Sequence, residues 1–167
     1  MRESHAEAEF TAFVRGAGTR LERAAVLLTG DQALAEDLLQ ATYAKVYVAW
    51  RRVDRDPVGY ARATLLNVYI SHRRLRQNSE LPAADLTRVA EVDVADRDVA
   101  ARLDVLDALA TLSAVDRAIV VLRYWEDRSV ADTALDLGLT ESVVKTRARR
   151  ALARLRPLLE LDERASS

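Results

Sequence analysis

Apolar residues recur along the first half of this chain at the three- and four-residue spacing of amphipathic helices. The spacing predicts one helix over residues 5–28 and a second over residues 32–50, separated by a glycine-containing break. A third helix is predicted from Pro57 to about Arg76, because Asp56 is a favourable N-cap and proline fits the first helical position. The first half of the chain therefore reads as a small helical bundle.

The second half of the chain returns to the helical pattern after an interruption. Between residues 77 and 97 the sequence is acidic, contains Pro82 and has no clear period, which is typical of a linker. Apolar residues recur again from Val99, and Ser113 with Asp116 resembles a capping box. No segment alternates with the two-residue period of a strand. The pattern predicts an all-α fold of two small helical domains, 1–76 and 98–167, joined by an acidic linker, 77–97.

The stretch from Ser129 to Arg156 has the pattern of a helix-turn-helix. Ser129 is a favourable N-cap for a short helix, Gly138 can end it in the left-handed conformation, and Thr140 can cap a longer helix. At 100° per residue the longer helix separates its side chains by face. The apolar face carries Val143, Val144, Ala148, Ala151, Leu152 and Leu155. The polar face carries Lys145, Thr146, Arg149, Arg150 and Arg154. A helix of this kind can pack on one side and lie in the DNA major groove on the other.

Charge is distributed unevenly along the chain. The formal net charge is only −1, yet residues 141–156 carry six basic groups against one acid. Residues 51–76 carry seven arginines against two aspartates, and residues 77–112 carry eight acids against three arginines. One basic helix face is usually just solvated, but two basic segments on either side of an acidic one indicate two nucleic-acid-binding surfaces.

Composition argues against several other classes of protein. The chain has no cysteine and only two histidines, so we expect neither a disulfide framework nor a metal site. Its longest apolar runs are too short to span a bilayer, and we expect no signal peptide and no membrane insertion. There is no phosphate-binding glycine loop and no nucleophile elbow, so an enzyme is not expected. These features predict a cytoplasmic protein that needs no cofactor.

Two sequence blocks together resemble a known family. The blocks are GDQALAEDLLQATYAKVYVAW, from Gly30 to Trp50, and LSAVDRAIVVLRYWEDRSVADTALDLGLTESVVKTRARRALARLR, from Leu112 to Arg156. With Asn67 before a basic helix end, they are similar to the extracytoplasmic-function (ECF) sigma factors, and more narrowly to their small actinobacterial branch. The resemblance implies a promoter-recognition subunit of bacterial RNA polymerase. Its partners would be the polymerase core, promoter DNA and, as for many relatives, an anti-sigma factor.

The resemblance also implies roles for individual residues. The N-terminal domain would dock on the polymerase clamp and melt the minus-ten element, and the C-terminal domain would read the minus-thirty-five element as a duplex. Polymerase binding would involve Glu36, Asp37 and Gln40. Minus-ten binding would involve Arg51, Arg52, Arg55, Asn67, Arg73 and Arg74. Minus-thirty-five binding would involve Lys145 and Arg147 at phosphates, and Thr146, Arg149 and Arg150 at base edges.

Two alternatives stay open at the level of sequence. Arg147 lies at the boundary of the cationic face, where an ion pair with an internal acid competes with a phosphate contact. Glu141 stands where the family often has a small residue, and its charge would repel a nearby phosphate. The alternative function is a stand-alone helix-turn-helix regulator whose N-terminal bundle senses a ligand or dimerises. Such a regulator would have little use for a second basic surface behind an acidic linker.

Overall fold

The computed structural model describes residues 1–78 and 97–165 of the 167-residue chain. Every regular element in these two stretches is helical, which confirms the predicted all-α fold. The N-terminal stretch contains α1 (Arg2–Thr29), α2 (Gln32–Ala49), a single 3-10 turn (Trp50–Arg52) and α3 (Pro57–Asn78). None of the helices in the described ranges is long and apolar enough to cross a membrane.

The C-terminal stretch contains four α-helices and one turn of π-helix. They are α4 (Arg97–Ala110), α5 (Ala114–Val120), the π-turn (Val121–Trp125), α6 (Val130–Leu137) and α7 (Glu141–Ala165). Most of the predicted linker, residues 79–96, lies outside the described residues.

Five helix starts are capped by a side chain, four of them at the residues that the sequence predicts, Asp56, Ser113, Ser129 and Thr140, and one at Asp31, which was not predicted. In each case the side-chain oxygen of the cap accepts a hydrogen bond from a backbone N–H three residues later, which satisfies one of the open donors of the first turn. The capped pairs are Asp31–Leu34 (2.9 Å), Asp56–Gly59 (2.9 Å), Ser113–Asp116 (3.2 Å), Ser129–Asp132 (3.0 Å) and Thr140–Val143 (3.2 Å). The starts of α2, α3, α5, α6 and α7 are therefore fixed by local chemistry.

Helix α1 is longer than the predicted 5–28 and continues without a break through Gly16 and Gly18. A glycine in a helix interior costs about 1 kcal/mol relative to alanine. Between and beyond the two glycines, α1 buries an apolar stripe that includes Ala17, Leu21 and Leu28. Burial of that stripe against α2 and α3 outweighs the weak propensity of the glycines.

The π-turn ends α5 and redirects the chain toward α6. The amide of Glu126 donates to the carbonyl of Val121 at 3.0 Å, five residues back, which is the hydrogen bond of a π-helix. The next residue, Asp127, has a φ of 51°, a left-handed conformation that aspartate tolerates better than most residues. The helix that begins at Ala114 therefore widens into a π-turn, after which the chain reverses direction toward α6.

The apolar residues form three clusters, and the largest includes both halves of the chain. Its N-terminal members come from α1, α2 and α3, and its C-terminal members are Ala118, Val121 and Leu122, each at most 1% exposed. A second cluster joins α4, α5 and α7, and a third joins α5, α6 and α7. Helix α5 therefore belongs to every cluster and connects the N-terminal bundle to the helix-turn-helix.

Candidate nucleic-acid interface

Helices α6 and α7 form the predicted helix-turn-helix. Gly138 ends α6 with a φ of 65°, and its amide and that of Leu139 donate to carbonyls of the last turn of α6. Val144 and Ala148 on α7 are buried against Ile119 of α5 and Ala134 of α6. This packing fixes which side of α7 faces the core, and so which side remains open.

The open side of α7 carries the predicted DNA-reading residues. Lys145, Thr146, Arg149 and Arg150 are all exposed, because they lie opposite the buried Val144 and Ala148 around the helix. Val143 was expected on the apolar face but is 38% exposed, because it is turned by about 100° or more around the helix from the buried Val144 and Ala148. The four polar side chains thus form one continuous face, called here the α7 face.

Arg147 lies at the edge of the α7 face and is engaged within the protein. Its Nη1 donates to Oδ1 of Asp116 at 2.8 Å. The two side chains are 41% and 26% exposed, so the pair is half-buried. The ion pair that the sequence left as an alternative is thus formed, and it ties α7 to the first turn of α5.

The predicted minus-ten residues lie along the 3-10 turn, the following loop and α3. Arg51, Arg52 and Arg55 are exposed around the N-terminal end of α3, and Asn67 is exposed in the middle of that helix. A residue near the C-terminal end of α3, Arg74, is also exposed. These five side chains are open to solvent, and together they are called here the α3 face.

Arg73 differs from its neighbours because it is half-buried against the C-terminal half. Its Nη1 donates to the hydroxyl of Tyr69 at 3.0 Å. The same guanidinium reaches the carbonyl of Leu112, between α4 and α5, at 3.4 Å and 3.5 Å. One predicted minus-ten residue is therefore held across the junction between the two halves of the chain.

An aromatic cluster that the sequence analysis did not single out lies beside the α3 face. The ring of Phe10 contacts Tyr47 and Trp50, with centroids 5.0 Å and 5.2 Å apart, and Phe13 contacts Trp50 at 5.1 Å. Tyr47 remains 49% exposed. Tyr43, Tyr47 and Trp50 follow the helical spacing of α2, a signal that points equally to a core stripe and to a stacking surface. The fold shows that Tyr47 keeps about half of its surface open while it packs on Phe10.

The predicted polymerase-binding residues lie on the open side of α2. Glu36, Asp37 and Gln40 are exposed, and Glu36 accepts a hydrogen bond from Gln32 at 3.4 Å. Asp37 also lines a cavity of about 480 Å³ at the junction between the two halves, together with His72 and Arg73 of α3. These three residues share one helix surface, and that surface ends at the junction.

Arg117 of α5 is a second residue that the sequence analysis missed. It is 4% exposed, and its Nε donates to the carbonyl of Leu27 at the end of α1, at 2.7 Å. Burial lowers the pKa of its guanidinium to about 10; the nearby Tyr69 raises that pKa and Arg73 lowers it. An arginine directly before a run of apolar residues in the DRAIVV segment was the only sequence signal, and it does not reveal the partner.

The chain matches two sigma-factor families over separate segments. Residues 13–87 match Sigma-70 region 2, and residues 102–155 match Sigma-70, region 4. The first match covers the α3 face and the second covers the α7 face.

Relatives of similar length are sigma factors of actinobacteria. The RNA polymerase sigma-E factor of Streptomyces coelicolor is 36% identical over 162 residues, which cover 94% of this chain and 91% of that protein. The ECF RNA polymerase sigma factor SigL of Mycobacterium tuberculosis is 38% identical over 149 residues, which cover 84% of this chain and 82% of that protein.

The fold is also similar to a solved structure, the sigma factor RpoE in complex with the anti-sigma factor NepR from Bartonella quintana. The TM-score is 0.75 at 25% identity, and the match covers 92% of this chain and 98% of that one. Sequence and structure thus point to the same family over both halves. The chain belongs to the ECF sigma factors of the sigma-70 family and is an RNA polymerase sigma factor.

Proposed function

We propose that this sigma factor reads its promoter with two surfaces, the α7 face on the minus-thirty-five duplex and the α3 face on the melted minus-ten strand. The observation that carries the proposal is the α7 face, four exposed polar side chains opposite the buried Val144 and Ala148. The proposed domains are residues 1–76 for the polymerase and minus-ten element, 77–97 for the linker and 98–167 for the minus-thirty-five element.

On the duplex, Thr146, Arg149 and Arg150 would contact base edges in the major groove. Arginine offers two parallel donors to guanine, and threonine contacts either a base edge or the methyl group of thymine. Lys145 would contact a phosphate and fix the docking position without reading sequence. Arg147 is assigned a positioning role, because Asp116 already engages its guanidinium.

On the melted strand, Asn67 would offer both a donor and an acceptor to an unstacked base. Arg51, Arg52, Arg55 and Arg74 would attract the phosphate backbone, and Tyr47 would provide a ring on which a base can stack. Arg73 would join this set after it leaves the carbonyl of Leu112. Strand separation would then be driven by binding energy for unstacked bases, without chemistry at a catalytic residue.

Core polymerase would bind the open side of α2 through Glu36, Asp37 and Gln40. An acidic surface of this kind is complementary to a basic partner surface and speeds its association. The family consists of initiation factors without enzymatic activity, and we propose the same for this chain. We also propose a cytoplasmic location, because promoter DNA and core polymerase are found there. An anti-sigma factor is proposed as a further partner.

Transcription with purified bacterial core polymerase tests the proposal. The chain should form a holoenzyme and initiate from a cognate promoter, and an R149A/R150A variant should lose initiation while it still binds core. Arg156→Ala, an exposed arginine further along α7, is the matched control and should initiate normally. A chain that binds duplex operators tightly by itself, yet neither binds core nor directs initiation, would contradict the proposal.

A further inference from the structure

We propose that the cavity lined by Asp37, His72 and Arg73 is a binding site for a small organic anion, one that carries a carboxylate or phosphate group on an apolar body. The cavity has a volume of about 480 Å³. Ligand pockets in proteins usually measure about 300–1,000 Å³. Such a site is independent of the promoter contacts proposed above.

Part of the cavity lining is apolar. Leu28, near the end of α1, and Leu38 of α2 line it, and they are 1% and 3% exposed. Leu34 of α2 and Ala110, the last residue of α4, line it as well. A hydrocarbon group that contacts these side chains would leave water, which favours its binding.

The rest of the lining is mainly cationic. Three arginines line the cavity: Arg73 and Arg76 of α3, and Arg117 of α5. Asp37 is the only carboxylate among the lining residues that the structure describes. Three guanidinium groups against one carboxylate give the cavity a positive charge, so it favours an anion over a neutral or cationic ligand.

Arg117 is charged, buried and incompletely hydrogen-bonded. Its Nε donates to the carbonyl of Leu27, but its Nη2 is buried without a hydrogen-bond partner among the described residues. No carboxylate in the described ranges forms an ion pair with it. The pKa of its guanidinium, about 10, keeps it protonated at neutral pH. A buried charge without a full set of acceptors is costly, and an anion in the cavity would offset that cost.

Arg73 has donors left for a ligand. Its Nη1 donates to the hydroxyl of Tyr69 at 3.0 Å, whereas its contacts with the carbonyl of Leu112 are long, 3.4 Å and 3.5 Å. A guanidinium has five N–H donors and can bind a carboxylate or phosphate through two parallel hydrogen bonds. The charge of Arg73 also lowers the pKa of Arg117, which indicates repulsion between the two groups. An anion beside both would reduce that repulsion.

Phenyl phosphate and benzoate are suitable probes, because each combines one anionic group with one ring. Benzyl alcohol carries the ring without the charge and is the control ligand. We expect each anion to shift the backbone amide resonances of Leu28, Leu38 and Ala110 saturably when the isotopically labelled full chain is titrated at constant ionic strength. Benzyl alcohol should bind at least about tenfold more weakly, because it forms no charge-assisted hydrogen bond. The anion that binds more tightly identifies the preferred group.

Arg117→Met removes the buried charge and keeps most of the length of the side chain. This variant and Arg73→Gln should each weaken binding of the tighter anion by at least about tenfold. Arg74→Gln is the matched control, because Arg74 is the adjacent exposed arginine of α3 and does not line the cavity. It should bind the anion as the wild type does. If Arg117→Met loses its helical circular dichroism spectrum, the comparison of Arg73→Gln with Arg74→Gln decides.

The proposal is wrong if neither anion binds saturably, if benzyl alcohol binds as tightly as the anions, or if Arg73→Gln and Arg74→Gln have equal effects. It is also wrong if the anions shift the amides of the α7 face and leave those around the cavity unchanged. None of these measurements uses DNA or polymerase, so their outcome is separate from that of the promoter proposal.

Discussion

Adjacent residues of α7 have different roles because the helix turns by 100° per residue. Arg149 and Arg150 point into solvent, whereas Arg147 turns back far enough to reach Asp116 at 2.8 Å. All three have the same chemistry, so their position around the axis decides what each can bind. The roles that we assign to single residues rest on this geometry and can be tested one side chain at a time.

The pair between Arg147 and Asp116 should contribute to stability and not to DNA binding. Because both side chains are partly exposed, the coupling in a double-mutant cycle of R147Q and D116N should be no more than about 1 kcal/mol. Chemical denaturation measures it. The salt dependence of duplex binding should be unchanged in R147Q. If R147Q instead lowers the slope of log binding constant against log salt concentration by about one unit, and the double-mutant cycle shows no coupling to Asp116, Arg147 contacts a phosphate.

Arg150→Ala should weaken discrimination at the minus-thirty-five element by about 1–3 kcal/mol, because a bidentate contact to a base is lost. Binding to duplexes with single base changes measures the effect. Arg156→Ala changes another exposed arginine of α7 and serves as the control, because it should leave the base preferences unchanged. An Arg150 variant with the wild-type profile would remove this residue from the set of base contacts.

Asn67→Ala should spare core binding and reduce open-complex formation, because an exposed amide that serves a flipped base does not support the helix. Permanganate reactivity of thymines in the minus-ten element measures strand opening. Asn78→Ala changes another exposed amide of α3 and serves as the control. Footprints of the Asn67 variant that match the wild type would contradict the assignment.

The elements of this protein are specified mainly by local signals. A side-chain cap begins each of α2, α3, α5, α6 and α7, and a glycine in the left-handed conformation ends both α1 and α6. The starts of α2, α3, α5, α6 and α7 and the ends of α1 and α6 could therefore be predicted closely. Where a local signal and packing disagree, as at Gly16 in α1, packing decides.

Gly138→Ala and Gly16→Ala should change stability in opposite directions. Gly138 has a φ of 65°, where an L side chain costs about 1–2 kcal/mol, although open space surrounds it. Gly16 lies within α1 and also has open space around it, so alanine should stabilise that helix by about 0.5–1 kcal/mol. Urea denaturation of the two variants measures both effects. Equal signs would contradict this account of the two glycines.

The whole molecule is held together by α5, which contributes to all three apolar clusters. Two domains with separate cores would unfold independently, whereas a core shared between the halves couples them. The two surfaces that we propose for promoter binding are thus joined in one packed body.

The two tryptophans can report on this coupling, because Trp50 lies in the N-terminal half and Trp125 in the C-terminal half. We expect W50F and W125F, each with one remaining tryptophan, to give fluorescence transitions that coincide with loss of helicity in the same protein. Circular dichroism provides that comparison in urea. Two distinct midpoints within one variant would mean that the halves unfold separately.

The sequence by itself determined the all-α class, the helix starts, the helix-turn-helix and the exposed α7 face. These features depend on spacing along one helix and on caps that act across three residues, so no tertiary contact is needed to deduce them. The family resemblance added the proposed roles of Asn67 and of the arginine loop, which no periodic pattern specifies.

Only the tertiary structure decided which cations are already engaged. The partner of Arg147 is 31 residues away, that of Arg73 is 39 residues away, and that of Arg117 is 90 residues away. Only the tertiary structure also revealed the core that α5 shares with the N-terminal bundle. A side chain acquires such a partner from the way whole helices pack, and the apolar surface of the entire chain sets that packing. A local charge pattern therefore cannot distinguish an arginine that is open to solvent from one that is held inside the protein.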